Sequence, residues 1–192
     1  MAIDLSIDLT KNLAANFAQY LSRFSPGMPW SYLEVGTFQG SSAAWMLDNV
    51  LSHPLSECYC VDVWRDMALR SNGRRFVRSG NDIELAARAN LAKYGSKVII
   101  VKGNSAEVLR TWQHGPHQII YIDGDHGFAG CLADSYASWP LLSPGGVVIW
   151  DDYSDGRRCQ VKKAVQAFLE TIAGRFDEIF KNSWQFAIRK TI

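Results

Sequence analysis

The sequence predicts an α/β protein: an open, mostly parallel sheet flanked by helices and closed at its C-terminal end by an antiparallel hairpin. Three observations carry this. Strand-like and helix-like segments alternate from Tyr32 to Ile172. Two of the strand-like runs, Val98-Ile99-Ile100-Val101 and Val147-Val148-Ile149-Trp150, are apolar throughout, the pattern of parallel strands buried on both faces. The last two runs, residues 176–180 and 184–188, are joined only by Lys181-Asn182-Ser183, a connection short enough to force an antiparallel pair.

Each element follows from its own pattern. In residues 1–28, Leu9, Leu13, Phe17, Leu21 and Phe24 fall at helical spacing and Ser25-Pro26-Gly27 stops the run, so an N-terminal helical segment is expected. Strands are predicted at 32–35, 58–63, 97–101, 118–122 and 146–150. Helices are predicted at 41–50, 82–94, 106–112, 129–139 and 160–172. Between the second strand and its helix, residues 65–81 form an insertion in which Arg65, Arg70, Arg74, Arg75 and Arg78 face only Asp66. It is read either as a lid that orders over a ligand, favouring an anionic one, or as a solvated helical insertion.

The chain has 192 residues, enough for one domain spanning 1–192 with its own core. Lys plus Arg total 20 and Asp plus Glu 19, a formal charge of +1. That balance argues against a nucleic-acid binder. No apolar run reaches the ~20 residues of a membrane span, and the N-terminus lacks a basic-then-apolar signal pattern, so a cytoplasmic protein is expected. Cys58, Cys60, Cys131 and Cys159 are read as reduced thiols that serve as small core residues. His114-Gly115-Pro116-His117 is read as a surface turn. Trp45, Trp64, Trp112, Trp139, Trp150 and Trp184 are read mostly as core, with Trp64 an alternative cover for an adenine ring.

The strand tips carry the candidate chemistry. The first strand runs into Glu34-Val35-Gly36-Thr37-Phe38-Gln39-Gly40-Ser41-Ser42 and then a helix, an arrangement that lets backbone approach a ligand closely. Phe38 stands where a dinucleotide fingerprint needs a glycine, which argues against a nicotinamide-dependent oxidoreductase. No Gly-Lys-Ser/Thr follows, so this is not a Walker loop. Asp62, at the second tip, is placed to accept from a ribose diol, and Asn104 and Ser105 at the third can meet an adenine edge. The fourth strand ends in Asp123-Gly124-Asp125-His126 and the fifth in Asp151-Asp152-Tyr153. On neighbouring tips, Asp123, Asp151 and Asp152 form an all-oxygen set suited to a hard divalent cation such as Mg²⁺. His126 is then the candidate catalytic base for a hydroxyl acidified by that cation. A separate reading gives Asp123 to cofactor binding instead.

These motifs resemble a known family. The segment 34–42 is similar to the first motif of class I S-adenosylmethionine-dependent methyltransferases, in the Gly-x-x-x-Gly form of the catechol and caffeoyl-CoA O-methyltransferases. Asp123-Gly124-Asp125-His126, Pro144-Gly145-Gly146, Asp151-Asp152-Tyr153 and Val161-Lys162-Lys163 resemble the type 24 methyltransferases and the macrocin and mycinamicin sugar O-methyltransferases. The catechol branch has a lysine where His126 stands. The resemblance implies a Rossmann-like class I methyltransferase fold and an O-methyltransferase acting on a small-molecule hydroxyl. It implies that Glu34, Gly36, Thr37 and Gly40, with Ser42 nearby, hold the methionine part of S-adenosylmethionine. Asp62 then binds the ribose, and Asn104 and Ser105 lie at the adenine. Asp123, Asp151 and Asp152 bind Mg²⁺, and His126 is the base. A binding module that kept this fold without catalysis is the other reading of the same residues.

Overall fold

The computed structural model describes residues 16–17, 21, 24, 27–71, 74–157 and 159–192. Along the chain these form β1 (Ser31–Val35), α1 (Ser41–Asn49), β2 (Glu57–Asp62), β3 (Met67–Ser71), β4 (Arg74–Arg78) and α2 (Gly80–Leu91). There follow β5 (Val98–Lys102), α3 (Ser105–Arg110), β6 (His117–Ile122), α4 (Phe128–Ser138), β7 (Leu142–Trp150), α5 (Val161–Thr171), β8 (Phe176–Lys181) and β9 (Phe186–Lys190). Seven strands make one sheet in the order β5-β2-β1-β6-β7-β9-β8. The first five are parallel, and β9 pairs antiparallel with both β7 and β8. The fold class is the one read from the sequence.

The order has a functional consequence. From β1 the chain winds outward through β2 to β5, then returns to the other side of β1 as β6 and β7. The reversal lies between β1 and β6, and a crevice opens above their carboxyl ends. Backbone bonds carry the ladder one residue past the strands: Gly36 N–H donates to Val61, Asp123 N–H to Val35 and Asp151 N–H to Ile122. The tips therefore sit on a rigid edge.

Two cores sandwich the sheet. Met46, Leu47, Leu51, Cys58, Cys60, Tyr32 and Tyr121 share one with Phe17, Leu21 and Phe24. Leu33, Ile120, Ile122, Trp150, Val161, Val165 and Phe168 share the other. In α5 the buried residues are Val161, Ala164, Val165 and Phe168, one stripe at helical spacing. Of the N-terminal helical segment, Asn16 and Phe17 are helical, and Phe17, Leu21 and Phe24 are buried as its spacing implies; the rest lies outside the described residues.

Several expectations are corrected. Residues 147–150 are buried, but β5 pairs only with β2 at the sheet edge, so Val98 to Val101 are half-buried and not fully enclosed. The insertion after β2 is an antiparallel pair of strands, β3 with β4, and not helical. Val and Phe flanked by arginines suit a strand as well as a helix, and the pairing decides. The side chains of residues 69–76, including Arg70, Arg74 and Arg75, on which the lid reading rests, lie outside the described residues. His117 is no surface residue: it opens β6, fully buried. Trp112 Nε1–H donates to its Nε2 at 2.9 Å and Ser31 Oγ meets its Nδ1 at 2.8 Å. Trp184 is 63% exposed, outside the core. Asn182 Oδ1 accepts from the N–H groups of both Trp184 and Gln185, so the turn extends and β9 starts only at Phe186. Cys58, Cys60 and Cys131 are buried free thiols and Cys159 is a half-buried one. Among the described residues no helix is long and apolar enough to cross a membrane.

Candidate active site

A cleft of ≈ 720 Å³ lies over the reversal point, a size suited to a nucleoside-bearing ligand. Its walls include Gly36, Thr37, Ser42, Asp62, Asn104, Ser105, Asp123, His126, Asp151 and Asp152. The structure thus brings nearly all the sequence-predicted site residues to one cavity. Glu34 and Gly40 stand behind its wall.

The loop after β1 is built for close approach. Gly36 has φ +91°, and a Cβ there would lie 2.0 Å from the carbonyl oxygen of Asp123. Only glycine lets the tips of β1 and β6 meet. Gly40, at φ +81°, begins α1 and offers no side-chain cap, which leaves the first amides of that helix for a ligand. Phe38 also has a positive φ, 49°, a strained conformation that turns its N–H to Asp62 Oδ2 at 2.7 Å. Asp62 Oδ1 accepts from Trp64 N–H at 2.7 Å, and Trp64 Nε1–H returns to the Phe38 carbonyl at 2.8 Å. Asp62 therefore knits two loops together, and each oxygen keeps a lone pair for a diol. Trp64 packs against Ile83 and Ala87 and does not line the cleft.

Glu34 is fully buried. Ser42 Oγ–H and Tyr32 O–H donate to its Oε1, while Oε2 has no hydrogen-bond partner among the described residues. Burial pushes its carboxyl up to about 8.

At the β6 and β7 tips stands the acidic cluster. His126 Nε2 is 3.4 Å from Asp123 Oδ1 and its Nδ1 is 3.2 Å from Asp152 Oδ2. Ligand atoms of Asp123, His126 and Asp152 all lie within 4.8 Å of one another. Asp151 borders the same cleft but does not belong to that group. Hydrogen bonding to Asp123, with the charge of Asp152 adding, pushes the imidazole up to about 9, so His126 is the countercharge between two carboxylates. Burial raises Asp123 and Asp151 above the usual carboxylate range. Asp152 has φ +49° and is held in the turn that faces His126.

Sequence reasoning missed some lining residues. Asn16, Met67, Trp184 and Gln185 come from segments without a motif and meet the cleft only through tertiary packing. Asp134 was also missed. It is 2% exposed in α4, and Ser105 Oγ–H donates to its Oδ1 at 2.5 Å. A signal existed: Asp134 is an acid at helical spacing from Cys131 and Ser138, on the buried face.

An open α/β sheet with a glycine loop, an acidic second tip and a carboxylate-rich fourth tip defines a class of nucleoside-cofactor transferases. Residues 33–153 match the model of a methyltransferase-domain family, the type 24 methyltransferases, and the chain belongs to that family. An uncharacterised protein of Acanthamoeba polyphaga mimivirus is 27% identical over 150 residues; the match covers 76% of this chain and 62% of the viral protein's length. Among solved structures, the O-methyltransferase TomG of Streptomyces achromogenes, in complex with S-adenosylmethionine, superposes with a TM-score of 0.66 at 19% identity, covering 94% of this chain and 80% of that one. A candidate rRNA methylase of Clostridium thermocellum gives 0.68 at 12%, covering 93% and 96%. At these identities the likeness is one of fold.

Proposed function

We propose that this chain is an S-adenosylmethionine-dependent O-methyltransferase acting on a hydroxyl of a small molecule, a sugar or natural product. One observation carries the reading: a single cleft is lined from the β2 and β5 tips by Asp62 and Ser105 and from the β6 and β7 tips, across β1, by Asp123, His126 and Asp152. A cofactor with its nucleoside at the first pair of tips presents its sulfonium methyl toward the second. The acceptor oxygen attacks the methyl carbon as the carbon–sulfur bond breaks, which leaves S-adenosylhomocysteine and a methyl ether. His126 would take the hydroxyl proton only in its neutral form, once another cation at Asp123 and Asp152 replaces the countercharge it carries and frees one ring nitrogen. Alignment of oxygen, carbon and sulfur supplies much of the rate.

Two carboxylates flanking an imidazole fit a hard divalent cation. Asp123 and Asp152 would hold it, with Asp151 alongside. Such an ion would replace the countercharge carried by His126 and acidify the acceptor hydroxyl. TomG, an O-methyltransferase of tomaymycin synthesis, is a precedent for a natural-product acceptor on this fold. The acidic rim and the formal charge of +1 favour a small acceptor over nucleic acid. Family membership sets the nicotinamide reading aside. The test is a screen of hydroxylated acceptors with methyl-labelled S-adenosylmethionine, with and without Mg²⁺. A labelled methyl ether supports the proposal; label on nitrogen or carbon alone refutes it.

A further inference from the structure

Behind the cleft lining lies a buried carboxylate that this chemistry does not use. Asp134 lies between two parts of the rim. Ser105, the first residue of α3, lines the cleft and gives its hydroxyl proton to Asp134 Oδ1 at 2.5 Å. Oδ2 has no hydrogen-bond partner among the described residues and faces Gly124, where a Cβ would come within 3.0 Å of it.

A helix-capping role does not account for the pair. Asn104 Oδ1 already accepts from Glu107 N–H and caps α3. Nor does packing account for it, because a buried carboxylate costs stability that an apolar side chain at the same helix position would not. What the pair does is fix a proton. A carboxylate only accepts, so the single hydroxyl hydrogen of Ser105 is committed to Asp134. Ser105 then shows the cleft lone pairs alone. On the cofactor reading, a ribose at Asp62 on β2 leaves the base to the neighbouring tip of β5, where Ser105 lines the cleft.

We infer that Asp134 is a positioning residue that locks the Ser105 hydroxyl as a hydrogen-bond acceptor, so that the pair selects a purine bearing a 6-amino group over one bearing a 6-oxo group. This rests on the reading of the cleft as an S-adenosylmethionine site. An amino group donates to those lone pairs, and an oxo group is repelled by them.

The test is calorimetric titration with S-adenosylhomocysteine and S-inosylhomocysteine. Wild type is expected to prefer the adenosyl compound by about tenfold or more. In S105A and D134A the preference falls to within about threefold, and the double variant loses no more. D134V keeps the packing volume without an acceptor and carries the same test if D134A fails to fold. An undiminished preference in the Asp134 variants, or none in wild type, overturns the inference while leaving the cofactor reading intact. Failure of wild type to bind either compound overturns both.

Discussion

The imidazole of His126 and the carboxylate of Asp152 lie 3.2 Å apart, Nδ1 to Oδ2, although they follow different strands. The β6 and β7 tips meet there, and Asp123 completes the grip on the other ring nitrogen. Because this group sits at the acceptor end, replacing it should damage transfer and spare cofactor binding. H126N is expected to lower kcat by about 10²–10⁴. Its affinity for S-adenosylhomocysteine, measured by calorimetry, should stay within about twofold of wild type.

Asp62 should behave oppositely. It accepts one amide from the β1 loop and one from the segment after β2. In D62N one arm of the side chain becomes a donor facing a donor. Unfolding free energy, measured in urea, is expected to fall by about 1–3 kcal/mol, and cofactor binding should weaken with it. Unchanged stability would mean the two loops are held by something else.

Gly36 and Gly145 separate crowding from backbone strain. Both have positive φ, but a Cβ at Gly36 meets the Asp123 backbone at 2.0 Å, whereas one at Gly145 meets nothing within 4 Å among the described residues. G145A should cost about 1–2 kcal/mol, the ordinary penalty of a left-handed L-residue. G36A should cost well beyond that, about 3 kcal/mol or more, and abolish cofactor binding. Equal costs would remove the claim that the β1 and β6 tips touch.

His117 gives the fold an acid sensitivity. Burial pushes its imidazole down to about 4, with His114 adding. Its folded pKa is thus below its unfolded value of about 6.5. The unfolded chain binds the extra proton, so stability is full above about pH 6.5 and is lost as pH falls toward 4. The loss attributable to this group approaches about 3 kcal/mol. Urea midpoints at pH 7.5 and pH 5 should differ in wild type, and the difference should shrink in H117N.

How far the sequence reaches is clear from particular residues. Short apolar runs bounded by turn residues placed every strand of the main sheet within a few residues, and the turn residues after β1, β2, β5, β6 and β7 marked the tips that line the cleft. These are local signals, fixed by hydrophobic period and glycine. What was illegible depends on three-dimensional partners. His117 reads as a turn residue until Trp112 and Ser31 are seen to satisfy its ring. The strand pair β3 and β4 has a composition that suits either structure. Trp184 leaves the core because Asn182 lengthens a turn. The grouping of Asp152, and not Asp151, with Asp123 and His126 follows from the positive φ of Asp152, which residue type does not announce.

The most direct measurement is methyl transfer to a hydroxyl acceptor by the wild type, by D123N and by D152N, each assayed with Mg²⁺ and after chelation. Wild-type transfer should fall at least about tenfold on chelation and return with Mg²⁺, while both variants stay low under every condition and still bind S-adenosylhomocysteine. Full transfer by the chelated enzyme would contradict a divalent cation at this site, and full transfer by either variant would contradict a role for the carboxylates around His126 in activating the acceptor.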